Sequence, residues 1–172
     1  MLSVDNDAII DSILVREGGA VAPPDRSGRI SRWGITAQTL SEHRGHAATD
    51  DEIRNLSATE ARDIYRRMYI FAPSYHLLAS EPLRAVIVDY AVNSGPSLAT
   101  KALQHVLGVT EDGILGGETL HAANIRDGAS LAVRILAERT RHYGRLISRD
   151  HSQAPYAAGW LDRIADQMEV LA

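Results

Sequence analysis

The chain has 172 residues, a net charge of −4 at neutral pH and no cysteine. This length allows one domain with a sizeable core, in which roughly 70% of the unfolded surface is buried. The lack of thiols excludes disulfides and thiolate metal sites, and the negative charge argues against a nucleic-acid binder, which needs Lys and Arg to neutralise phosphates.

The first predicted element is a helix that ends in a carboxylate. Apolar residues between Ile9 and Leu14 follow the i, i+3, i+4 spacing of a helix with one buried face. Gly18 and Gly19 release the backbone from the α conformation, so Glu17 stands in the last turn. The negative end of the helix dipole disfavours an ionised acid there, and with partial desolvation Glu17 is expected to keep a proton near neutrality.

A turn and a short strand are predicted next. Residues 23–28 have the Pro, Asp and Gly content of a turn, and residues 29–35 alternate enough for a strand. A small hairpin should therefore face the end of the first helix. Asp25 belongs to its turn and Ser31 to its strand.

The rest of the chain is predicted to be helical. A capping box formed by Ser57 and Glu60 opens one helix, and apolar residues on most sides of the segment around Asp89 indicate a central, buried helix. A buried carboxylate needs an Arg or a backbone amide as partner, so a structural role is expected for Asp89. The predicted ranges are 58–70, 83–91, 97–107 with Ser97 as its cap, 117–124, 129–148 and 157–171. The fold class is mainly α (α+β), with about seven or eight helices and one small β-hairpin after the first helix.

Several motifs along the chain resemble those of one enzyme family. Glu17-Gly18-Gly19 precedes a Pro/Asp/Gly turn and the run Trp33-Gly34-Ile35-Thr36. Residues 57–65 include Thr-Glu-Ala-Arg-Asp-Ile-Tyr, and residues 88–96 read Val-Asp-Tyr-Ala-Val-Asn-Ser-Gly-Pro. These segments resemble glycoside hydrolase family 108, a lysozyme-like group of peptidoglycan muramidases found in phage endolysins and bacterial secretion loci. Residues 102–120 and 159–163 resemble the peptidoglycan-binding module that usually completes such proteins.

The resemblance implies an organisation and a catalytic acid. Residues 1–91 would form a lysozyme-like catalytic lobe and residues 92–172 a helical, peptidoglycan-binding-like lobe, packed as one compact body. Ligand sites favour such junctions, so the substrate groove is expected between the lobes. Glu17 would be the general acid, and no cofactor or metal is implied.

The turn and the strand after the first helix depart from the family pattern. The family usually keeps an acid two residues before a Gly-Gly pair, where this chain has Arg26, with Arg29 at the second glycine, and the acid stands one place earlier as Asp25. Asp25 is therefore either the second catalytic group or an ordinary turn residue that caps its own loop. Ser31 replaces the usual Thr but keeps the hydroxyl, which could position a water or belong only to the strand.

Three residues are candidates for substrate binding. Trp33 could stack on a sugar or anchor the hairpin to the core. Asn93 could reach an N-acetyl or hydroxyl group of the glycan, or simply end its helix. Tyr90, on the same helix, is the third candidate.

A basic ridge is predicted on the long helix, because Arg141, Arg145 and Arg149 recur every four residues. Such a ridge could meet an anionic wall polymer or a phosphate. A solvated helix face is the favoured alternative.

The resemblance, with Glu17 at the end of the first helix, implies an endolysin-type N-acetylmuramidase that cleaves the glycan strand between N-acetylmuramic acid and N-acetylglucosamine. The alternatives are a lytic transglycosylase, which gives 1,6-anhydro products, and a non-catalytic module for wall binding or assisted secretion. The expected partner is the peptidoglycan glycan strand. The protein is expected to act as a monomer, without nucleic acid.

The expected route to the wall follows from the first residues and the hydropathy. Residues 1–15 carry three Asp and no basic residue, which is the wrong charge for a signal peptide, and no apolar run approaches the roughly 18 residues of a membrane span. We expect synthesis in the cytoplasm, no stable membrane insertion, and release through a holin or another export route.

Overall fold

The structure is a computed structural model that describes residues 6–22 and 28–172. The contacts of the described residues divide them into two compact units, residues 6–72 and residues 73–172, called here the N-terminal and C-terminal units. The described residues form nine α-helices and three short strands, which confirms the predicted mainly α fold with a small β element after the first helix. None of the helices in these ranges is long and apolar enough to cross a bilayer. The predicted turn with Asp25 lies outside the described residues.

The first helix, α1 (Asn6–Glu17), is as predicted. Its apolar face is buried from Ile9 to Leu14. Gly18 then takes a φ of +68°, and its N–H donates to the Leu14 carbonyl at 3.0 Å. The left-handed conformation that ends the helix is one that glycine adopts without strain, and it leaves Glu17 as the last helical residue.

A three-stranded antiparallel sheet follows α1. Its strands are β1 (Val21–Ala22), β2 (Ser31–Arg32) and β3 (Ile35–Thr36), in that order across the sheet. Ser31 lies between its two partners, Ala22 on β1 and Thr36 on β3.

The prediction of one strand over residues 29–35 is wrong, because the chain turns in the middle of that segment. Trp33 and Gly34 adopt φ angles of +55° and +72°, in the left-handed region that ends a strand. The alternation of side chains gave no sign of this turn.

Two short helices of the N-terminal unit were not predicted. They are α2 (Ala37–Arg44), capped by Thr36, and α3 (Asp50–Arg54), capped by Thr49 with a complete capping box. Each helix buries a single residue, so neither segment has the apolar periodicity on which a helix prediction depends.

The predicted helix 58–70 exists but changes its winding. Its first part is α4 (Ala58–Tyr65), and a π-helical segment, Arg66–Phe71, continues it. The capping box predicted for α4 is only half formed. Ser57 accepts from the Glu60 N–H, but the Glu60 carboxylate binds Arg44 instead of turning back to the cap.

Arg44 joins α2, α3 and α4 through two carboxylates. Its guanidinium donates to both Glu60 oxygens at 2.8 Å and to Glu52 Oε1 at 2.6 Å. The hydrogen bond and the charge of Arg44 hold the pKa of Glu60 below its ordinary value of 4.5, although burial opposes this. This network ties together three helices that each bury few apolar residues.

We expect Arg44→Gln to destabilise the protein at neutral pH and to lose that effect in acid. A carboxylate whose pKa is lowered in the folded state contributes stability above its unfolded pKa, and this contribution disappears as the pH falls through the folded pKa. The stability gap between wild type and Arg44→Gln should therefore be full at pH 7 and close below the lowered pKa of Glu60. Urea unfolding at a series of pH values measures it. Arg54→Gln, which removes exposed pairs with Asp50 and Asp51, is the control and should show a small gap. A gap for Arg44→Gln that is constant with pH would contradict the expectation.

The C-terminal unit is built from five helices. They are α5 (Glu81–Ser94), α6 (Pro96–Leu107), α7 (Gly117–Asn124), α8 (Gly128–Arg149) and α9 (Ala157–Leu171). All five agree with the predicted ranges to within about three residues at each end, which is close to the usual uncertainty of helix boundaries. The prediction that Ser97 caps α6 is wrong. Gly95 is the cap and Pro96 is the first helical residue, a position that proline favours because its φ is preset and it lacks an N–H.

The centre of this unit contains a buried ionic cluster around Asp89. The fully buried Arg139 donates to Asp89 Oδ2 at 2.7 Å, and Arg163 Nε lies 2.9 and 3.0 Å from the two carboxylate oxygens. Arg139 also donates to the Tyr143 hydroxyl at 2.9 Å. The arginine partner predicted for Asp89 is thus present, and the cluster connects α5, α8 and α9.

Candidate active site

The carboxyl group of Glu17 lies against the turn between β2 and β3. A methyl group placed on Gly34 would be 2.8 Å from Glu17 Oε2 and 2.6 Å from the hydroxyl of Tyr65. Glycine is therefore the residue that leaves room for both oxygens at this point of the turn. The carboxyl group of α1 and the phenol of α4 therefore both lie next to the backbone of Gly34.

Three contacts hold the turn in place, one of them from α4 and two from the residues that follow α1. The Tyr65 hydroxyl donates to the Trp33 carbonyl at 2.8 Å, and Arg32 Nε donates to the Gly19 carbonyl at 2.9 Å. The indole of Trp33 packs so closely on Gly19 that a Cβ there would lie 2.6 Å from two of its ring carbons. The glycine pair after Glu17 thus ends the helix with Gly18 and admits the indole with Gly19.

A second tyrosine faces Glu17 from the π-helical segment. The Tyr69 ring centre lies 5.6 Å from that of Tyr65. Burial raises the pKa of Tyr69, and the negative charges of Glu42 and Glu17 raise it further. Tyr69 therefore remains a neutral phenol that can donate a hydrogen bond close to two carboxylates. Single π-helical turns are frequent at functional sites.

The structure brings together part of the predicted set in the N-terminal unit. The Glu17 carboxyl lies beside Gly34, the residue after Trp33, and the Trp33 indole packs on Gly19, two residues after Glu17. Ser31 lies two residues before Trp33 on the central strand, where it is half-buried. The contact of Trp33 with Gly19 is the one expected of an anchor for the hairpin. Sugar stacking by Trp33 and water positioning by Ser31 stay predictions. Asp25 is not among the described residues.

The other two predicted residues belong to the C-terminal unit. Tyr90 is only 1% exposed, and the Arg139 guanidinium lies 4.9 Å from its ring centre. Asn93 is exposed near the end of α5 and accepts a hydrogen bond from the Tyr143 hydroxyl. Burial of Tyr90 is typical of a core residue, and the glycan-binding roles of both residues stay predictions. Among the described residues, no three His, Asp or Glu side chains are grouped so that they could hold a metal ion.

Tyr65 and Tyr69 are the site residues that sequence reasoning missed. Tyr65 is the last residue of the motif over residues 57–65, and it is only 1% exposed. Its position four residues before Tyr69 placed both phenols on one helical face. The four-residue spacing of Tyr65 and Tyr69, at the end of a segment that resembles the family, is the signal that could have identified both tyrosines.

We expect Gly34→Ala to lose activity in addition to stability. Its new methyl group would displace the Glu17 carboxyl and the Tyr65 hydroxyl, and a displacement of about 1 Å can cost roughly a hundredfold in rate. Gly45→Ala is the matched control. Gly45 has a similar φ of +77° in the same unit but no atom within 4 Å of the added Cβ. Both variants should lose about 1–2 kcal/mol from the left-handed backbone, measured by urea unfolding. Only Gly34→Ala should lose catalytic turnover, and equal turnover of the two variants would contradict this geometry.

Comparison with known families identifies the N-terminal part of the chain. A family model described as glycosyl hydrolase 108 matches residues 10–95, half of the sequence. The chain belongs to the glycosyl hydrolase 108 family. A second model, described as a predicted peptidoglycan domain, matches residues 98–165. Both resemblances found in the motifs are thereby confirmed, and together they support a glycoside hydrolase that acts on peptidoglycan.

A solved structure supports the same assignment. The glycosyl hydrolase 108 member described here is similar to SagA of Brucella abortus, with a TM-score of 0.83 and 27% sequence identity. The match covers 95% of this chain and 91% of SagA. The predicted lysozyme-like, mainly α fold is confirmed. The comparison with curated proteins gives no match.

Proposed function

We propose that this glycosyl hydrolase 108 member is an endolysin-type N-acetylmuramidase of the lysozyme class. It would cleave peptidoglycan between N-acetylmuramic acid and N-acetylglucosamine, with Glu17 as the general acid. The observation that carries the proposal is the position of the Glu17 carboxyl, at the end of α1 and against Gly34, within the segment that matches the hydrolase family.

The chemistry of glycoside cleavage explains why such a carboxyl is needed. The leaving oxygen must receive a proton as the C–O bond breaks, and the sugar develops positive charge at its anomeric carbon. Glu17 would deliver that proton. Two features support this role: Glu17 is the last residue of α1, and Gly34 leaves space beside its carboxyl group.

A second group is needed to support the sugar cation or to activate water. We assign this role to Asp25, with Ser31 holding the attacking water. The support is the order of acid, acid and hydroxyl along the chain and the place of Ser31 in the central strand of the sheet that follows α1. Delivery of the enzyme to the wall by a holin stays a prediction.

Product analysis tests the proposed function. Purified peptidoglycan is digested with the protein, and the soluble muropeptides are separated and identified by mass spectrometry after borohydride reduction. A muramidase releases fragments that end in a reducible N-acetylmuramic acid. Fragments that end in 1,6-anhydro muramic acid would replace the proposal with a lytic transglycosylase. Release of no fragments would leave a wall-binding module without turnover.

A further inference from the structure

A groove in the C-terminal unit has no role in the proposed reaction. It runs between α6 and α8, with a volume of about 660 Å³ and an adjoining section of about 260 Å³. The two sections share His105, Glu138 and Arg141, so they form one continuous depression.

The groove is positively charged on a protein whose net charge is −4. Four cationic side chains line it against two carboxylates, which leaves an excess of two positive charges with the histidines neutral. The cations are Lys101, Arg134, Arg141 and Arg145, and the carboxylates are Glu111 and Glu138. An anionic ligand is therefore favoured, but one that also tolerates nearby carboxylates.

Glu138 orders two of these arginines without using all of their donors. Its carboxylate lies 2.5 Å from Arg145 Nη2 and 3.5 Å from Arg141 Nη1. Burial raises the pKa of Glu138, but the hydrogen bond and charge of Arg145 outweigh it, so that the pKa is lowered and the group stays ionised. The side chain of Glu138 is only 14% exposed, whereas those of Arg141 and Arg145 are 65% and 51% exposed. Each guanidinium has five N–H donors, so both can bind a ligand carboxylate as well.

Apolar side chains also line the groove. Leu98, Ala102, Val106 and Ala137 contribute to its lining together with the ring of Tyr90. A lining that combines mixed charge with small apolar side chains fits a short peptide that has methyl side chains and more carboxylates than amines. A polyphosphate would instead favour a uniformly basic groove.

We propose that this groove binds the stem peptide of peptidoglycan through its carboxylates. The inference rests on the proposed function in so far as the ligand belongs to the same polymer. Residues 98–165 match a model described as a predicted peptidoglycan domain. The inference deepens the proposed function because it names a ligand and a binding site for this segment. Two of the three arginines of the predicted basic ridge, Arg141 and Arg145, line the groove, and Arg149 does not.

Calorimetric titration of the full chain tests this site. The ligand is a synthetic stem tetrapeptide, L-Ala, D-Glu, a diamino acid and D-Ala, with free carboxylates and no sugar, so that it is not a substrate. We expect the wild type to bind it and the double variant Arg141→Gln/Arg145→Gln to bind it at least about tenfold more weakly, because the loss of even one charge-assisted hydrogen bond costs roughly that factor. Arg149→Gln, the control on the same helix, should bind as the wild type does. Thermal unfolding checks that all variants are folded, as expected for exposed side chains.

Four outcomes would overturn the inference. They are no binding by the wild type, equal binding by the double variant, equal binding of a fully amidated peptide, and displacement of the peptide by poly(glycerol phosphate) at equal charge concentration. The last would assign the groove to a phosphate polymer. Failure of the proposed function is distinguishable, since a protein that binds the peptide but releases no muropeptides fails only as a hydrolase. One that releases muropeptides without binding the peptide fails only here.

Discussion

Glu17→Gln should fold normally and lose peptidoglycan cleavage by a factor of about 10²–10⁴, the usual contribution of general acid catalysis. Gln has almost the same shape as Glu and can occupy the same space beside Gly34, but it has no proton to give to the leaving oxygen. Initial rates of muropeptide release, at equal concentrations of folded protein, measure the effect. Circular dichroism and urea unfolding establish that α1 and the turn are intact.

The control for this variant is Glu169→Gln, which removes an exposed carboxylate from α9. It should retain the wild-type rate, because the substitution is the same and only the location differs. A folded Glu17→Gln protein with a rate like that of Glu169→Gln would remove Glu17 from the mechanism.

The largest expected loss of stability is that of Asp89→Asn. Arg139 is fully buried, and the negative charge of Asp89 pairs with both Arg139 and Arg163. Removal of one partner from a buried ion pair costs about 3–5 kcal/mol, because the remaining charge stays away from water. For a unit of this size the midpoint of thermal unfolding should fall by more than about 10 °C. Differential scanning calorimetry measures it.

Asp162→Asn on α9 makes the same change at an exposed position and should shift the free energy of unfolding by less than about 0.5 kcal/mol. If Asp89→Asn were as stable as this control, the ionic cluster would not hold α5, α8 and α9 together.

Long helices could be predicted from the sequence because each carries enough buried residues to set a period. The helices that contain Asp89 and Arg139 were found within a few residues of their true ends, and the arginine partner of Asp89 followed from the cost of an unpaired buried charge. The short helices after Thr36 and Thr49 were missed because each buries one residue. Their stability comes from side-chain caps and from Arg44, a long-range contact that no local pattern contains.

The acid of the candidate site could also be predicted, but not its surroundings. Two glycines after Glu17 predict a helix end by local chemistry alone. The turn at Trp33 and Gly34, the close approach of Gly34 to Glu17, and the position of Tyr65 all depend on how three separate segments meet. A tyrosine on an apolar helical face is predicted from the sequence to be a core residue. That its hydroxyl lies near the Glu17 carboxyl is known only from the structure.

Digestion of peptidoglycan in water enriched in heavy oxygen tests the central claim most directly. If Glu17 protonates the leaving oxygen and water completes the cleavage, every new N-acetylmuramic acid end released by the wild type carries one heavy oxygen atom at its anomeric carbon. Glu17→Gln should then release almost none of these ends. Mass spectra are recorded after immediate borohydride reduction, which prevents later exchange. Anhydro ends without heavy oxygen, or labelled ends released at the wild-type rate by Glu17→Gln, would contradict the account.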